Sequence, residues 1–399
     1  MNTVNVTDIK NKIESFFQIR INAKSVYFIG FTLYLTAAFL KTTMATEYIS
    51  MHALNYLAYA SMGVLVFKWF FFTRFTRNQL VIESILIFVA GLSWLKTGDP
   101  LAFYMSLLVI TARGQKFDEI LKWYVIIATA LLILSIVLAE LNVITNLAYA
   151  RGAHIRHAFG IVYPTDFASH IFYLILAYCY LFFEKLKMLS YITIFLISLF
   201  IYVFSDARLD TILIILIIPV MSLAQKKQFG KINDDKVFKC GWMTTWIFGY
   251  LALMATYFFN YTGVLQKINI LISSRIALSH EGFLKYGISF FGQKVKEYGW
   301  GGTSGYKNFA TGGQIHQYFM LDSSFVRLAL IYGICMFIIV IIAVSYTAFR
   351  SVEQNNYALM AILALVALSC LIDQHMLELA YNPFYIAIYS TIKNKTIRE

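Results

Sequence analysis

Five arginines stand where an apolar chain should carry few charges. Arg151, Arg156, Arg208 and Arg275 fall in polar stretches between long apolar blocks, and Arg327 lies about one turn inside such a block. A guanidinium is permanently charged and grips phosphate or carboxylate through two parallel N–H bonds. The group therefore suits an anionic headgroup. Any one of them could instead be solvated, or paired with Asp206, Asp210, Asp322 or Glu281; that all five are structural is the weaker reading. Near the C-terminus, "DQHMLELAYNPF" puts Asp373, His375 and Glu378 within six residues, a candidate general-base site where a bilayer wall can perturb proton affinities. The plain alternative is a polar hairpin with Asn382-Pro383 close to the start of the last helix. "MLDSSFVRLALIYG" opens an apolar block with Asp322 and Ser323, which read as a helix cap. Neither compensates Arg327 fully, so Arg327 is expected to face a wet cavity. In "YARGAHIRHAFG", His154 and His157 have the spacing of two metal ligands on one helix face. No third ligand is evident, and a hydrogen bond from His154 to substrate is the preferred role. His170, beside Ser169 in an apolar block, reads as a core histidine.

Motifs that are missing narrow the chemistry. There is no GxxxxGK[ST] for ATP-driven transport, no HExxH and no GxSxG. Asp-x-Asp and Asp-x-Glu are absent too, which removes the usual carboxylate pair for a metal-dependent sugar transfer. No metal site and no cofactor are expected. "GWGGTSG" at 299–305 follows no strand and opens no clear helix, so it reads as a flexible loop and a poor phosphate cradle.

The elements that must hold these residues are membrane spans. Of 399 residues 59% are hydrophobic and 14% charged, where a soluble domain carries about 45–50% and about 25%; mean hydropathy is +0.67. Apolar blocks at 25–41, 53–73, 79–95, 99–112, 121–141, 164–184, 188–204, 209–224, 241–262, 322–347, 356–372 and 380–392 predict an all-α polytopic membrane protein with about twelve spans. The block at 99–112 is short enough to be tilted, broken or re-entrant. With both termini cytoplasmic, twenty lysines and arginines fall inside, among them Lys10, Lys12, Arg20, Lys393, Lys395 and Arg398, and eleven outside, with Lys68 and Arg327 in spans. Acids are nearly even across the two sides, with Glu83 in a span. The net charge of +12 is thus a topology signal and gives no reason to expect nucleic acid. No cleavable signal peptide is expected, because the first 24 residues are polar and charged. Cys179, Cys240, Cys335 and Cys370 lie in or beside apolar blocks and read as small hydrophobes without disulfides. The chain reads as one integral domain, residues 1–399. Two outer segments exceed simple connectors, about 142–163 and a large loop at 263–321, whose stretch 269–286 has the apolar spacing of amphipathic helices at the membrane surface.

This layout, together with "SSRIALSHEGFLKYGISFFGQ", "YFMLDSSFVRLALIYGI" and "DQHMLELAYNPF", resembles bacterial polysaccharide polymerases of the Wzy type, relatives of the O-antigen ligases. The resemblance is nearest to capsule and exopolysaccharide polymerases. It implies a membrane glycosyltransferase fold of the C type and a metal-independent enzyme. Such an enzyme joins repeat units carried on undecaprenyl diphosphate at the outer face of the cytoplasmic membrane, alongside a flippase and a chain-length regulator. The arginines of the related ligases match Arg151 or Arg156 and Arg275, and the ligase histidine has His280 and His316 as counterparts. On this reading Arg275 and Arg156 clamp the diphosphate, Arg208 and Arg327 support it, and His375, Asp322 or Glu378 takes the acceptor's proton. A flippase or transporter of lipid-linked oligosaccharide, and an O-antigen-type ligase, are the alternatives.

Overall fold

The computed structural model describes residues 22–232 and 236–392. The terminal residues used for topology, Lys10, Lys12, Arg20, Lys393, Lys395 and Arg398, lie outside the described residues.

Helices dominate: α1 (Ala23–Lys41), α2 (Met51–Phe72), α3 (Arg77–Thr97), α4 (Leu101–Thr111), α5 (Phe117–Glu140), α6 (Pro164–Leu181), α7 (Met188–Ser205), α8 (Arg208–Gln228), α9 (Thr244–Tyr257), α10 (Gly263–Leu271), α11 (Arg275–Tyr286), α12 (Gly302–Ala310), α13 (Ile334–Glu353) and α14 (Tyr357–Ser369). One hairpin, β1 (Ala148–Arg151) with β2 (His154–His157), interrupts them. Among the described residues seven helices, α1, α2, α3, α5, α7, α8 and α13, are long and apolar enough to cross a membrane. The protein is membrane-embedded. Only 22% of the apolar windows of α3 and α7 is buried, and Ile82, Ile85, Phe88, Leu196, Leu199 and Val203 point outward, a surface that only lipid can cover comfortably.

The other five expected spans take different forms. The helix α6 has 18 residues, α9 has 14, α14 has 13, and α4 has 11 and is almost wholly buried. No helix forms at 380–392. That stretch makes only a 3-10 turn, Phe384–Ile388, and is buried from Ala380 to Ala387. It runs from the His375 turn to Thr391, whose carbonyl accepts from Phe117 N at 3.0 Å. Irregular backbone is tolerated at such depth because protein, not lipid, surrounds it. The expected span at 322–347 is broken as well: an α turn, Ser324–Arg327, passes into a π-helical turn, Leu328–Tyr332, and ends at Gly333 before α13 begins. Gly333 has φ +92°, and a Cβ there would strike Gly292 N and Phe290 O. The segment 263–321 is thereby stitched to the break, with Ile334 N donating to Ser289 O at 2.9 Å and Gln293 N to Ile331 O at 2.9 Å.

Local sequence explains several junctions. Thr76 and Gln79 form a reciprocal capping box at the start of α3, and Gly98 closes it at φ +77°. Pro164 occupies the first turn of α6. The predicted amphipathic stretch 269–286 does form helices but breaks at Ser273 and Ser274, both left-handed at φ 60° and 64°. This backbone costs non-glycine residues about 1–2 kcal/mol each. Buried Asn269 supports it: its carbonyl accepts from Ser274 N at 2.7 Å and its side chain from Ala277 N at 3.0 Å. Arg275 is thereby placed at the first residue of α11.

Two further expectations are corrected. "GWGGTSG" is not simply a loop, because α12 begins at Gly302 within it. His154 and His157 lie on a strand, where residues three apart face opposite ways, so the pairing of two ligands on one helix face does not arise. All four cysteines are free; Cys179 and Cys370 are buried as expected of small hydrophobes, but Cys240 is exposed.

Candidate functional site

Helix ends and the segments that join them converge on a cavity of about 940 Å³ at one end of the bundle. Its wall takes β1–β2, the first turn of α6, the α7–α8 junction, α10 and α11, the start of α12, and residues 316–322. Four of the five arginines singled out from sequence line it: Arg151, Arg156, Arg208 and Arg275. Asp166, Asp206, Asp210, Asp322 and Glu297 line it too.

The rim is basic. In the hairpin Tyr149 pairs with Arg156 and Arg151 with His154, so Tyr149, Arg151 and Arg156 share one face. Arg151 and Arg208 both bond the single carboxylate of Asp206, at 3.5 and 2.8 Å. Burial and the neighbouring Arg156 lower the proton affinity of Arg151, with Asp206 opposing. Arg156 is different. It is 7% exposed, donates from Nε to Ser205 O at 3.0 Å and from Nη1 to Tyr163 OH at 3.4 Å, and lies over the Tyr163 ring at 5.4 Å. Among the described residues it has no carboxylate partner. His154 is exposed at the hairpin tip and does not line the cavity.

Deeper in, the balance reverses. Arg275 Nε donates to Asp322 at 2.9 Å. Burial disfavours the Arg275 charge, but Asp322, Asp373 and Asp210 more than restore it. Asp210 accepts from Ser169 at 3.1 Å. Arg327 does not line the cavity it was expected to face: it lies behind the wall, donating to Glu297 at 2.7 Å and to Gln374 at 3.3 Å, with its Nε buried and unpartnered, while Asp322 belongs to Arg275.

The three candidate proton acceptors separate. Asp322 lines the cavity, whereas His375 and Glu378 do not. His375 is 3% exposed, with Nδ1 3.2 Å from Glu378 and Nε2 3.7 Å from Asp166. Its ring stacks on Tyr381 at 3.6 Å, which in turn stacks on His170 at 4.0 Å. His170 is indeed a core residue, 2.9 Å from Thr42 Oγ1. Burial opposes protonation of His375, yet Glu378, Asp166 and Asp373 outweigh it and push its pKa up to about 9. An imidazolium at neutral pH has no lone pair for an incoming proton, so His375 is unsuited to the base role that its sequence context suggested. Asp373 is driven well up from the usual carboxylate range, first by burial and then by Asp210. Of the two loop histidines, His316 lines the cavity and stacks on Tyr298 at 4.2 Å, whereas His280 is tied to Thr256 O at 2.8 Å.

Sequence reading missed Asp166, Glu297, Tyr163 and Tyr318 as wall residues. Asp166 carries the only readable signal, an acid just after Pro164 at the end of a long outer segment, which also fits ordinary helix capping. No protein family, curated protein or solved structure matches this chain.

Proposed function

We propose that the protein is a metal-independent glycosyltransferase of the polysaccharide-polymerase kind. It would join oligosaccharide repeat units carried on undecaprenyl diphosphate at the outer face of the cytoplasmic membrane. The observation that carries this reading is Arg156: a buried guanidinium, facing a large cavity, without a carboxylate to neutralise it. A buried unpaired charge is expensive, and an anionic ligand removes that cost. Arg151 and Arg208, sharing one Asp206, add to a net positive rim that suits a diphosphate. Breaking the bond from sugar to diphosphate leaves charge on the phosphates, and guanidinium groups already in position stabilise that charge as it develops. Ile270 and Leu271, 65% and 77% exposed, line the cavity beside these cations, which suits a ligand with an anionic head and an aliphatic tail.

The flippase alternative needs a polar route through the bundle. Here Tyr27, Tyr124, Tyr173 and Tyr180 are all buried inside the bundle, which favours chemistry at one end. In a strain lacking the gene, single repeat units should replace high-molecular-weight polymer, and the wild-type gene should restore it. Arg275→Lys keeps the charge but loses the two-point geometry, and should shorten chains severely with the protein still in the membrane. Unchanged chain length would sink that role for Arg275.

A further inference from the structure

Transfer of a sugar to a hydroxyl needs a group to take the hydroxyl proton, and the cavity offers five carboxylates. Four are engaged. Asp206 is bridged by Arg151 and Arg208, Asp322 by Arg275, and Glu297 by Arg327 and by Leu321 N at 2.9 Å. Asp210 is 2% exposed and accepts from Ser169. Of these five, Asp166 alone accepts no hydrogen bond, its one charged partner being His375 at 3.7 Å. Its side chain keeps 17% of its surface open and lies in the cavity wall.

We propose that Asp166 accepts the proton of the attacking hydroxyl, and that His375, gripped by Glu378, is the positioning residue that keeps Asp166 aimed into the cavity. This rests on the glycosyl-transfer reading above. The chain Glu378–His375–Asp166 has steps of 3.2 and 3.7 Å, and His375 cannot swing away because Tyr381 stacks on its ring. In the step itself, the acceptor oxygen bonds to the anomeric carbon while the bond from that carbon to the diphosphate oxygen breaks. The electron pair leaves with the lipid diphosphate, where Arg156 and Arg275 receive it. The hydroxyl proton passes to a free oxygen of Asp166 and from there to water. Asp166 needs to approach the acceptor only within about 2.6–3.2 Å, hydrogen-bond reach.

The charged groups that face Asp166 are His375, Glu378, Asp210 and Asp322. His375 is the cation among them, so its replacement by a neutral residue leaves three acids facing a fourth and makes Asp166 hold its proton to higher pH.

The test uses membranes of the deletion strain carrying the full-length protein and supplied with the lipid-diphosphate-linked repeat unit. Polymer made by wild-type membranes establishes the transfer reading; no polymer there, with the protein present, overturns that reading independently of Asp166. Given wild-type activity, Asp166→Asn should lower polymer formation by about 100-fold or more with donor-lipid binding retained. Activity within about threefold of wild type overturns the assignment. If Asp166→Asn does not reach the membrane, His375→Gln decides: the acid limb of its rate profile should move to higher pH. An unmoved limb overturns the assignment.

Discussion

Two buried charge clusters among the described residues differ in what remains unpaired. At one end Lys68, Glu83 and Arg113 close on themselves. Lys68 is 1% exposed and donates to Thr111 O at 2.5 Å, near the C-terminus of α4, where helix carbonyls welcome a cation. Glu83 accepts from Trp69 at 2.7 Å and from Arg113. Arg113 also bonds Gln79 at 3.0 Å and lies against the rings of Phe75 and Tyr389. At the cavity end, Arg156 has no countercharge and Asp166 no donor. Intramembrane ions are functional candidates by default. Here the useful distinction is whether protein groups satisfy them or leave them facing a cavity.

The largest expected contrast comes from removing one arginine at each end. Arg113→Ala strands Glu83, buried at 0% exposure, without the guanidinium that bonds it and with Lys68 as its remaining cation, at a cost of about 3–5 kcal/mol in stability. Membrane abundance and the unfolding midpoint should drop, with polymer made per remaining molecule unchanged. Arg156→Ala should do the reverse, lowering transfer by about 100-fold to 1000-fold while holding or raising the unfolding midpoint, since it removes a buried charge that no carboxylate neutralises. Equal destabilisation at both ends would erase the distinction.

Next in size is a pH effect peculiar to the cavity end. His375 has its pKa raised to about 9 in the folded protein, against about 6.5 unfolded. Its contribution is therefore full below about pH 6.5 and is lost as pH rises through about 9, worth at most about 3 kcal/mol. Thermal unfolding in detergent should show the midpoint fall from pH 6 to pH 9.5 in wild type, and a flatter profile in His375→Gln. A wild-type midpoint constant over that range would contradict the buried Glu378–His375–Asp166 arrangement.

How far the sequence reveals this follows from what each residue type can signal. Long spans such as α5 and α7 are legible because roughly 20 apolar residues have few other uses. The stretch 380–392 is shorter and less apolar, and composition cannot separate a lipid-facing helix from irregular chain wrapped in protein. Arginines in outer segments are conspicuous against the topology rule, and four of five do meet in one cavity. His154 misleads because a spacing of three has meaning only once helix or strand is known. Asp166 stays hidden because an acid in a first helical turn is already explained by capping, and its lack of a donor is visible only when the neighbours of every carboxylate are in place. Ser273 and Ser274 give no sign of left-handed backbone; buried Asn269, eight residues from Ala277, holds it there.

The smallest predicted effect is the most specific to the cavity rim. Asp206 serves two arginines at once, Arg151 at 3.5 Å and Arg208 at 2.8 Å, and so competes with any anionic ligand for both. The residue sits at φ 41°, which asparagine also tolerates, so Asp206→Asn removes the charge without disturbing the turn between α7 and α8. Arg208 has 55% of its side chain exposed, and an exposed pair is worth only about 0.2–1 kcal/mol. Freed from its partner, the rim should bind inorganic pyrophosphate about 2–5 times more tightly, read as a lower inhibition constant against polymer formation. Glu83→Gln is the matching change at the closed end. It should leave pyrophosphate inhibition untouched and lower stability, because Lys68 and Arg113 lose their carboxylate and face no ligand site that could replace it. A pyrophosphate constant unmoved by Asp206→Asn would mean that Arg151 and Arg208 serve the fold, leaving Arg156 to bind the anion with Arg275 alone.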